Sequence, residues 1–257
     1  MSEPQVASQE NRALPGRWKG QIPTVTFDEY SAKYKDFFVM KRVDGIIELR
    51  LHTNGGPYIH NWAAHNAMSR AWQDVCNDPE NEVLILTVTG DRWFSGSPEK
   101  VWAKPLSEED PDYTYQQMYD GIKLIENLVT AFEIPTIAVV NGPGIHTEIA
   151  LLCDITLAAE DADFTDPHFF AGLPPGDGLG LILQATMGPK RGAFAVLTAQ
   201  PIPAAKALEL GVINEVLLRE QLLPRAWELA EMIMKRPRFV RRMSHAITMR
   251  PWKKTGK

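Results

Sequence analysis

The spacing of apolar residues changes along the chain in a way that separates strands from helices. Two short alternating runs flank Asp44 and Gly45 and predict a β-hairpin. Continuous apolar runs at 83–90 and 136–142 predict strands that are covered on both faces. Residues 63–76, which precede the first of these strands, repeat apolar side chains at helical spacing. The pattern therefore alternates between strand and helix.

The same alternation continues to the end of the chain. A long amphipathic helix is predicted before the strand at 136–142, with an apolar face built on Met118, Ile122, Ile125, Val129 and Phe132. The elements predicted after that strand are a short helix at 148–153, a strand at 154–160, helices at 179–188, 190–200 and 203–211, a strand at 212–217, and helices at 222–236 and 239–249. This order favours an α/β fold with parallel strands and right-handed crossovers.

The chain of 257 residues is long enough to bury one large core. Residues 1–25 are polar and contain several prolines, so we expect a flexible N-terminal arm. Residues 26–200 carry most of the predicted strands and are expected to form the core domain. Residues 201–257 are predicted to form a C-terminal helical region. The sequence contains no internal repeat.

Charge and cysteine content exclude several classes of function. The chain has 27 basic and 32 acidic residues, so it lacks the basic field that recruits nucleic-acid phosphates. Its two cysteines, Cys76 and Cys153, cannot form a disulfide framework, which fits the reducing cytoplasm. We find neither a signal-peptide pattern nor an apolar run near the roughly 18 residues that span a membrane. We expect a cytoplasmic protein that binds neither nucleic acid nor membrane.

The residues that could carry chemistry lie in three loops that follow predicted strands. These loops are 93–100, 143–148 and 163–178. In α/β folds with parallel strands, such loops share one end of the sheet, and function is found there. The third loop is rich in proline and glycine, yet it carries His168 and Asp177.

A histidine beside a carboxylate forms a general-base pair, because the carboxylate fixes the tautomer of the ring and raises its basicity. We therefore predict a general-base pair in the third loop, which carries His168 together with Asp166 and Asp177. His146, in the second loop, is expected to donate to a developing oxyanion, together with backbone N–H groups.

Each of these residues also has a structural interpretation. A loop histidine such as His168 is usually a surface or hydrogen-bonded residue. Asp177 between two glycines suits a turn, and Glu148 suits the first turn of a helix. His65 lies in the middle of a predicted helix among alanines, where packing or exposure is the ordinary role. The shared location of His146, His168 and Asp177 on neighbouring loops favours the functional interpretation.

Other catalytic and cofactor motifs are incomplete. The glycines of 176–181 follow a loop rather than a strand, so they are not a dinucleotide-binding fingerprint. The six histidines show no metal-ligand spacing, and the H-x-E at 146–148 lacks the P-C-x-x-C of zinc deaminases. Ser95 lacks the first glycine of a nucleophile elbow. We expect no metal and no cofactor.

The run TIAVVNGPGIHTEIALLCDITLAAEDADFTDPHFFAGLPPGDG, from 136 to 178, resembles the crotonase (enoyl-CoA hydratase/isomerase) superfamily. The segments WFSGSPE and GPKRGAFAVLTAQPIPAAKALELGVINEV are similar to further motifs of that family, so the resemblance covers about 38–245. It implies a crotonase-like (ββα)n spiral core, with the helical region at 201–257 serving oligomerisation or covering the active site. It also implies a homotrimer or a hexamer.

The chain departs from the hydratases of that family at informative positions. Hydratases carry two catalytic glutamates, and here one of the two positions is His168 while Glu148 falls on the other. His146 stands in a shortened glycine triplet. Gly96 falls on the residue whose N–H is usually the first oxyanion donor.

These replacements resemble one branch of the superfamily, 6-oxocamphor hydrolase and related β-diketone hydrolases, which share the motifs PHF and PGDG. The residues carried over from that branch are His146, His168, Asp177 and His65. Where the branch has a tryptophan before the helix histidine, this chain has His60. The aromatic ring of Trp93 could supply a wall for the substrate.

The resemblance implies hydrolysis of the C–C bond between the carbonyls of a β-diketone, a retro-Claisen reaction on a small molecule. It implies that His168, held by Asp177, removes a proton from water. One alternative is a CoA-thioester hydratase or hydrolase of the ordinary crotonase type. Another is a non-catalytic binding protein with the same fold.

Overall fold

The computed structural model describes residues 24–96 and 111–255. The arm expected at 1–25 lies almost wholly outside the described residues, and so does the end of the loop predicted at 93–100.

Eight strands lie within the described residues: β1 (Phe38–Val43), β2 (Ile46–Leu51), β3 (Val83–Val88), β4 (Thr136–Val140), β5 (Ile155–Ala159), β6 (Asp163–Phe164), β7 (Ile202–Pro203) and β8 (Glu215–Leu217). Ten helices lie in the same part of the chain: α1 (Phe27–Lys33), α2 (Trp62–Asn77), α3 (Pro111–Thr130), α4 (Thr147–Leu151), α5 (Leu179–Met187), α6 (Pro189–Thr198), α7 (Ala204–Glu209), α8 (Arg219–Met234), α9 (Arg238–Thr248) and α10 (Arg250–Thr255).

Six of the strands form one sheet in the order β1-β2-β3-β4-β5-β8. β1 and β2 are antiparallel, and every other neighbouring pair in this sheet is parallel. β6 and β7 form a separate antiparallel pair. The predicted α/β fold with parallel strands is therefore confirmed.

The predicted hairpin between β1 and β2 is also confirmed. Asp44 and Gly45 have φ angles of 48° and 87°. Two consecutive positive φ angles are the requirement of a type I′ turn, whose twist matches that of the flanking strands. A Cβ atom on Gly45 would lie 2.8 Å from Cγ of Glu82. Both the turn and this close contact therefore favour glycine.

The core lies between the sheet and the helices that cover it. β3 and β4 are buried along their whole length, as their continuous apolar runs predict. α2 packs on α3, and α8 packs across β3, β4 and β5. The buried rings of Trp72 and Phe132 meet at this layer, with centroids 6.0 Å apart. Burying a side chain the size of Phe132 contributes about 1.5–3 kcal/mol to folding.

Some elements differ from those that periodicity predicts. α1 and α10 are too short to give a clear periodic signal, and α1 begins at a capping box in which N of Thr26 donates to Oε2 of Glu29 at 2.7 Å. The loop predicted at 163–178 begins with β6, a two-residue strand that forms only because tertiary folding brings β7 beside it. The boundaries predicted for the core domain and the helical region remain predictions.

None of the helices in the described residues combines the length and the apolar character that crossing a lipid bilayer requires.

Candidate active site

Three loops meet where β3, β4 and β5 end. The loops after β3 and β4 are hydrogen-bonded to each other: N of Ile145 donates to O of Phe94 at 3.0 Å, and N of Trp93 donates to O of Pro143 at 3.2 Å. Gly144 lies at this contact, where a Cβ atom would be 2.8 Å from N of Phe94. Glycine therefore allows the two loops to approach closely enough to form one site.

His146 lies immediately before α4 in a left-handed backbone conformation, with φ 54° and ψ 41°. A residue with a side chain rarely adopts this conformation, which costs on the order of 1–3 kcal/mol and is concentrated at functional sites. The ring is buried, and its Nδ1 lies 2.7 Å from Oε1 of Glu148. The first pair of the site is therefore His146 with Glu148.

His168 is paired through Nδ1 with Asp166, whose Oδ1 lies 2.7 Å away. The same oxygen accepts the backbone N–H of His168 at 3.0 Å. Because a carboxylate oxygen accepts hydrogen bonds, Nδ1 carries a proton and Nε2 is the nitrogen left for chemistry. Asp166 therefore binds Nδ1, whereas Asp177, which was predicted to hold this ring, faces the other ring nitrogen.

Asp177 lies between two imidazoles. Its Oδ2 is 3.3 Å from Nε2 of His168 and 3.5 Å from Nδ1 of His146. That oxygen is enclosed, and it makes no hydrogen bond to any of the described residues. Gly178, with a φ of 89°, turns the chain from Asp177 into α5. The structure thus brings together His146, His168 and Asp177, as predicted.

The carboxylates around His168 favour its protonated form. The hydrogen bond to Asp166 raises the pKa of His168, and burial opposes this effect. The charges of Asp177 and Glu148 raise the pKa of His168 further. The pKa of Asp166 is lowered, because the hydrogen bonds that it accepts from His168 outweigh the effect of burial.

The surroundings of the buried pair His146 and Glu148 raise the pKa of both groups. Burial opposes a charge on His146, but the charge of Glu148 and the hydrogen bond to it raise the pKa of His146 overall. Burial raises the pKa of Glu148, while His146 acts in the opposite direction. Both shifts favour retention of the proton between Nδ1 of His146 and Oε1 of Glu148.

His146, Glu148, Asp166 and His168 border a cavity of about 280 Å³, whereas Asp177 is not among its lining residues. Its apolar wall includes Ile145, Ala171, Leu173 and Leu179, and its polar part is formed by His146, Glu148, Asp166 and His168. Gly96 also lines it, as expected for a backbone donor. The volume is just below the range of about 300–1,000 Å³ that is typical of ligand pockets. The cavity therefore suits a compact and largely apolar molecule.

The cavity is not lined by His60, His65 or Trp93. These three residues were predicted to contact the substrate. The ring of His60 is buried 4.6 Å from that of His146, and His65 packs against both. Nε1 of Trp93 donates to O of His146 at 3.2 Å. Burial lowers the pKa of His60, and it lowers that of His65 to about 4. Both rings are therefore neutral and support His146 from outside the cavity.

His146, Glu148 and Asp177 offer three possible metal-ligand atoms within 4.8 Å of one another. However, the 2.7 Å separation between His146 and Glu148 is that of a charge-assisted hydrogen bond. A metal could bind only after displacing the proton of that bond. We therefore interpret the group as an acid–base site, and the absence of a metal remains a prediction.

Asp166 is the site residue whose role the sequence did not reveal. The signal that could have indicated it is its position two residues before His168, across Pro167. An aspartate at that spacing can accept the backbone N–H two residues on in an Asx turn, which places the carboxylate beside the following side chain.

The parallel sheet and the imidazole–carboxylate pairs at its strand ends define the class of protein, an α/β enzyme with an acid–base pocket. The enoyl-CoA hydratase/isomerase family matches residues 60–257, and the chain belongs to that family. The recognition of the crotonase superfamily from the motifs in the sequence is confirmed.

Several known proteins are similar to this chain. Crotonyl-CoA hydratase of Syntrophomonas wolfei is 32% identical over 199 residues, which are 74% of this chain and 75% of that protein. Carnitinyl-CoA dehydratase of Salmonella enteritidis is 31% identical over 172 residues, 65% of this chain and 63% of that protein.

Solved structures show the same fold. ABDH, a β-diketone hydrolase from the cyanobacterium Anabaena sp. PCC 7120 bound to (S)-3-oxocyclohexyl acetic acid, has a TM-score of 0.81 and 33% identity over 88% of this chain and 90% of its own. An enoyl-CoA hydratase from Bacillus anthracis has a TM-score of 0.71 and 21% identity over 81% of each chain.

Proposed function

We propose that the protein is a hydrolase that cleaves the C–C bond between the two carbonyls of a β-diketone. The observation that carries this proposal is the convergence of His168, Asp166 and a second imidazole, His146, at one small and mostly apolar cavity, with Asp177 between the two imidazoles. This arrangement can activate water and hold an enolate without a cofactor.

In the first step, Nε2 of His168 takes a proton from a water molecule, and the hydroxide bonds to one carbonyl carbon. The imidazolium that forms then lies between Asp166 at Nδ1 and Asp177 at Nε2. Both carboxylates stabilise the positive ring. A base of this kind typically contributes about 10²–10⁴ in rate.

In the second step, the C–C bond breaks and its electron pair moves onto the remaining carbonyl as an enolate. In this proposal His146 and the N–H of Gly96, two residues that line the cavity, donate to the enolate oxygen. Such donors are worth about 3–4 kcal/mol each. The imidazolium of His168 returns its proton to the α-carbon. The products are a carboxylic acid and a ketone, joined in one molecule if the diketone is cyclic.

Two further observations support this proposal. The histidine at 168 replaces one of the two glutamates that the hydratases of the family use. The solved structure with 33% identity and a TM-score of 0.81 is that of a β-diketone hydrolase.

The second candidate is a hydratase of CoA thioesters. The two curated relatives that are 31% and 32% identical are named as enzymes acting on CoA thioesters. Glu148 also keeps one of the two glutamate positions, and it lines the cavity. The position occupied by His168 argues against this candidate, because the second glutamate of a hydratase is absent there.

The test uses the purified protein with a small cyclic 1,3-diketone, followed as loss of the ultraviolet absorbance of the diketone, and in parallel with crotonyl-CoA. We expect consumption of the diketone without CoA, with one carboxylic acid released for each diketone. Hydration of crotonyl-CoA with an unchanged diketone would instead support the thioester enzyme. Inactivity towards both would favour a non-catalytic binding protein.

A further inference from the structure

Asp166 has a geometry that only a dedicated partner of His168 would need. Its Oδ1 accepts two hydrogen bonds from the same residue, the backbone N–H at 3.0 Å and Nδ1 at 2.7 Å. The side chain is buried although it is an acid, and it lines the cavity. Between the two residues, Pro167 has a fixed φ, which limits how far this turn can relax.

We propose that Asp166 is a positioning residue that keeps the proton of neutral His168 on Nδ1 and thereby presents Nε2 to the substrate water. This inference rests on the proposed function, since it assigns the orientation of the base in that reaction. Asp166 also lines the cavity, and we assign it a role through His168 because both hydrogen bonds that its Oδ1 accepts come from that residue. Asp177, on the opposite side of the ring, meets the proton that Nε2 takes up.

The two aspartates differ in their distance from the ring of His168. A separation of 2.7 Å is typical of a charge-assisted hydrogen bond, whereas Oδ2 of Asp177 lies 3.3 Å from Nε2 and makes no hydrogen bond to the described residues. A neutral imidazole has one N–H and one lone pair. The nitrogen at 2.7 Å from a carboxylate is the one that retains its proton, so the lone pair is on the side of Asp177.

All but one of the charged and titratable groups around His168 raise its pKa. Asp166 faces Nδ1, Asp177 faces Nε2, and the charge of Glu148 also favours the protonated ring, with the bond to Asp166 as the largest effect on the pKa of His168. The ring of His146, 6.4 Å away, is the exception, because like charges repel. Removing the charge of Asp166 should therefore lower the pKa of His168.

The experiment compares Asp166→Asn and Asp166→Ala. The asparagine keeps an oxygen for the backbone N–H but removes the charge, so the turn should persist while His168 titrates at lower pH. The alanine also removes the acceptor of Nδ1–H, so the neutral ring should shift towards the Nε2–H tautomer. Both changes are read from the ¹⁵N and ¹H signals of His168 during a pH titration, with the signals assigned by their loss in His168→Gln.

Activity provides the second measurement. We expect kcat on the diketone to fall about tenfold or more for Asp166→Asn and about 100-fold for Asp166→Ala. Because the base must be unprotonated, the acidic limb of kcat/KM should also move to lower pH in Asp166→Asn. A change that only loosened the loop would not move this limb.

The matched control is Asp163→Asn, an aspartate in β6 of the same segment that accepts the hydroxyl of Thr165 at 3.1 Å. It should leave the titration, the tautomer and kcat of the protein unchanged. Thermal melting shows whether each variant is folded. If Asp166→Ala does not fold, the titration of His168 in Asp166→Asn still tests the inference.

The spectra need no substrate, so they separate this inference from the proposed function. Loss of the Nδ1–H tautomer in Asp166→Ala, in a protein inactive on diketones, would support the role of Asp166 and overturn the proposed reaction alone. An unchanged tautomer and an unchanged titration of His168 in the folded variants would overturn the inference, whatever the activity.

Discussion

At the residue scale, the same side chain acquires different properties from its surroundings. His146 and His168 each have a carboxylate at 2.7 Å, which raises their pKa. His60 and His65 are buried among other rings, and the buried Nε2 of His60 and Nδ1 of His65 have no hydrogen-bond partner among the described residues, so burial lowers their pKa. The carboxylates, rather than the histidines alone, select the rings suited to acid–base chemistry.

This difference predicts the effects of two alanine substitutions in the diketone assay. His168→Ala should lower kcat by about 10² or more, because it removes the base. His65→Ala should have a smaller effect, because that ring does not line the cavity. Steady-state kinetics of both variants check this, with Asp163→Asn as a control. Near-normal kcat in His168→Ala would show that another group is the base.

At the scale of elements, one carboxylate joins β4, β5, α3 and α9. Oδ2 of Asp154, just before β5, accepts the backbone N–H of Thr136 at 2.9 Å and Nδ1 of His245 at 2.7 Å. Nε2 of His245 donates to O of Phe132, beyond the end of α3, at 3.0 Å. The hydroxyl of Thr248 also donates to Asp154.

Asp154→Asn should therefore destabilise the fold by roughly 2–4 kcal/mol, because it removes the negative charge that strengthens the hydrogen bonds from Thr136, His245 and Thr248. The hydrogen bonds to Asp154 outweigh burial and lower its pKa. Its contribution is thus present above the ordinary pKa of an aspartate, about 3.9, and is lost as the pH falls through the lower pKa of the folded state.

Urea unfolding at pH 7 and at progressively lower pH measures this contribution. The difference between wild type and Asp154→Asn should narrow in the acidic range. Asp161→Asn is the control, since Asp161 forms an exposed ion pair with Arg219 and should change stability by less than about 1 kcal/mol. Equal midpoints for wild type and Asp154→Asn would contradict the structural role of Asp154.

At the scale of the whole molecule, α9 presents an apolar stripe to the solvent. Phe239, Met243 and Ile247 follow one another at intervals of four residues, with Val240 beside them, and all four are exposed. Large exposed apolar surfaces often mark contacts with other chains. We propose that α9 and the other helices of the C-terminal region form the contacts in a trimer, or in a hexamer of two trimers, as the family resemblance implies.

Light scattering coupled to size-exclusion chromatography checks this proposal. We expect a mass of three or six times the 28.8 kDa of the chain. Replacing Phe239 and Ile247 with serine should lower the mass, because it removes apolar area from the stripe. Val39→Ser, at an exposed position of β1, should leave the mass unchanged. A wild-type protein that stays monomeric at micromolar concentration would contradict the proposal.

The amino-acid sequence by itself determined most of the fold. The hairpin at Asp44 and Gly45, the buried strands β3 and β4 and the helix α2 follow from local signals, because backbone conformation and burial repeat with the period of each element. The helix α3 was predicted too, but Met118 and Ile122 of its predicted apolar face are exposed. The sequence also placed His146, His168 and Asp177 on loops at one end of the sheet.

Only the tertiary structure decided which groups meet. His60 and His65 carry the same side chain as His168, and nothing in their local sequence shows that they pack beside the cavity rather than line it. Asp166 and Asp177 are equally acidic in the sequence, and the path of the loop gives one to Nδ1 of His168 and the other to Nε2. The physical reason is that a hydrogen bond depends on the position of side-chain atoms to within a few tenths of an ångström. Those positions are set by packing between distant segments.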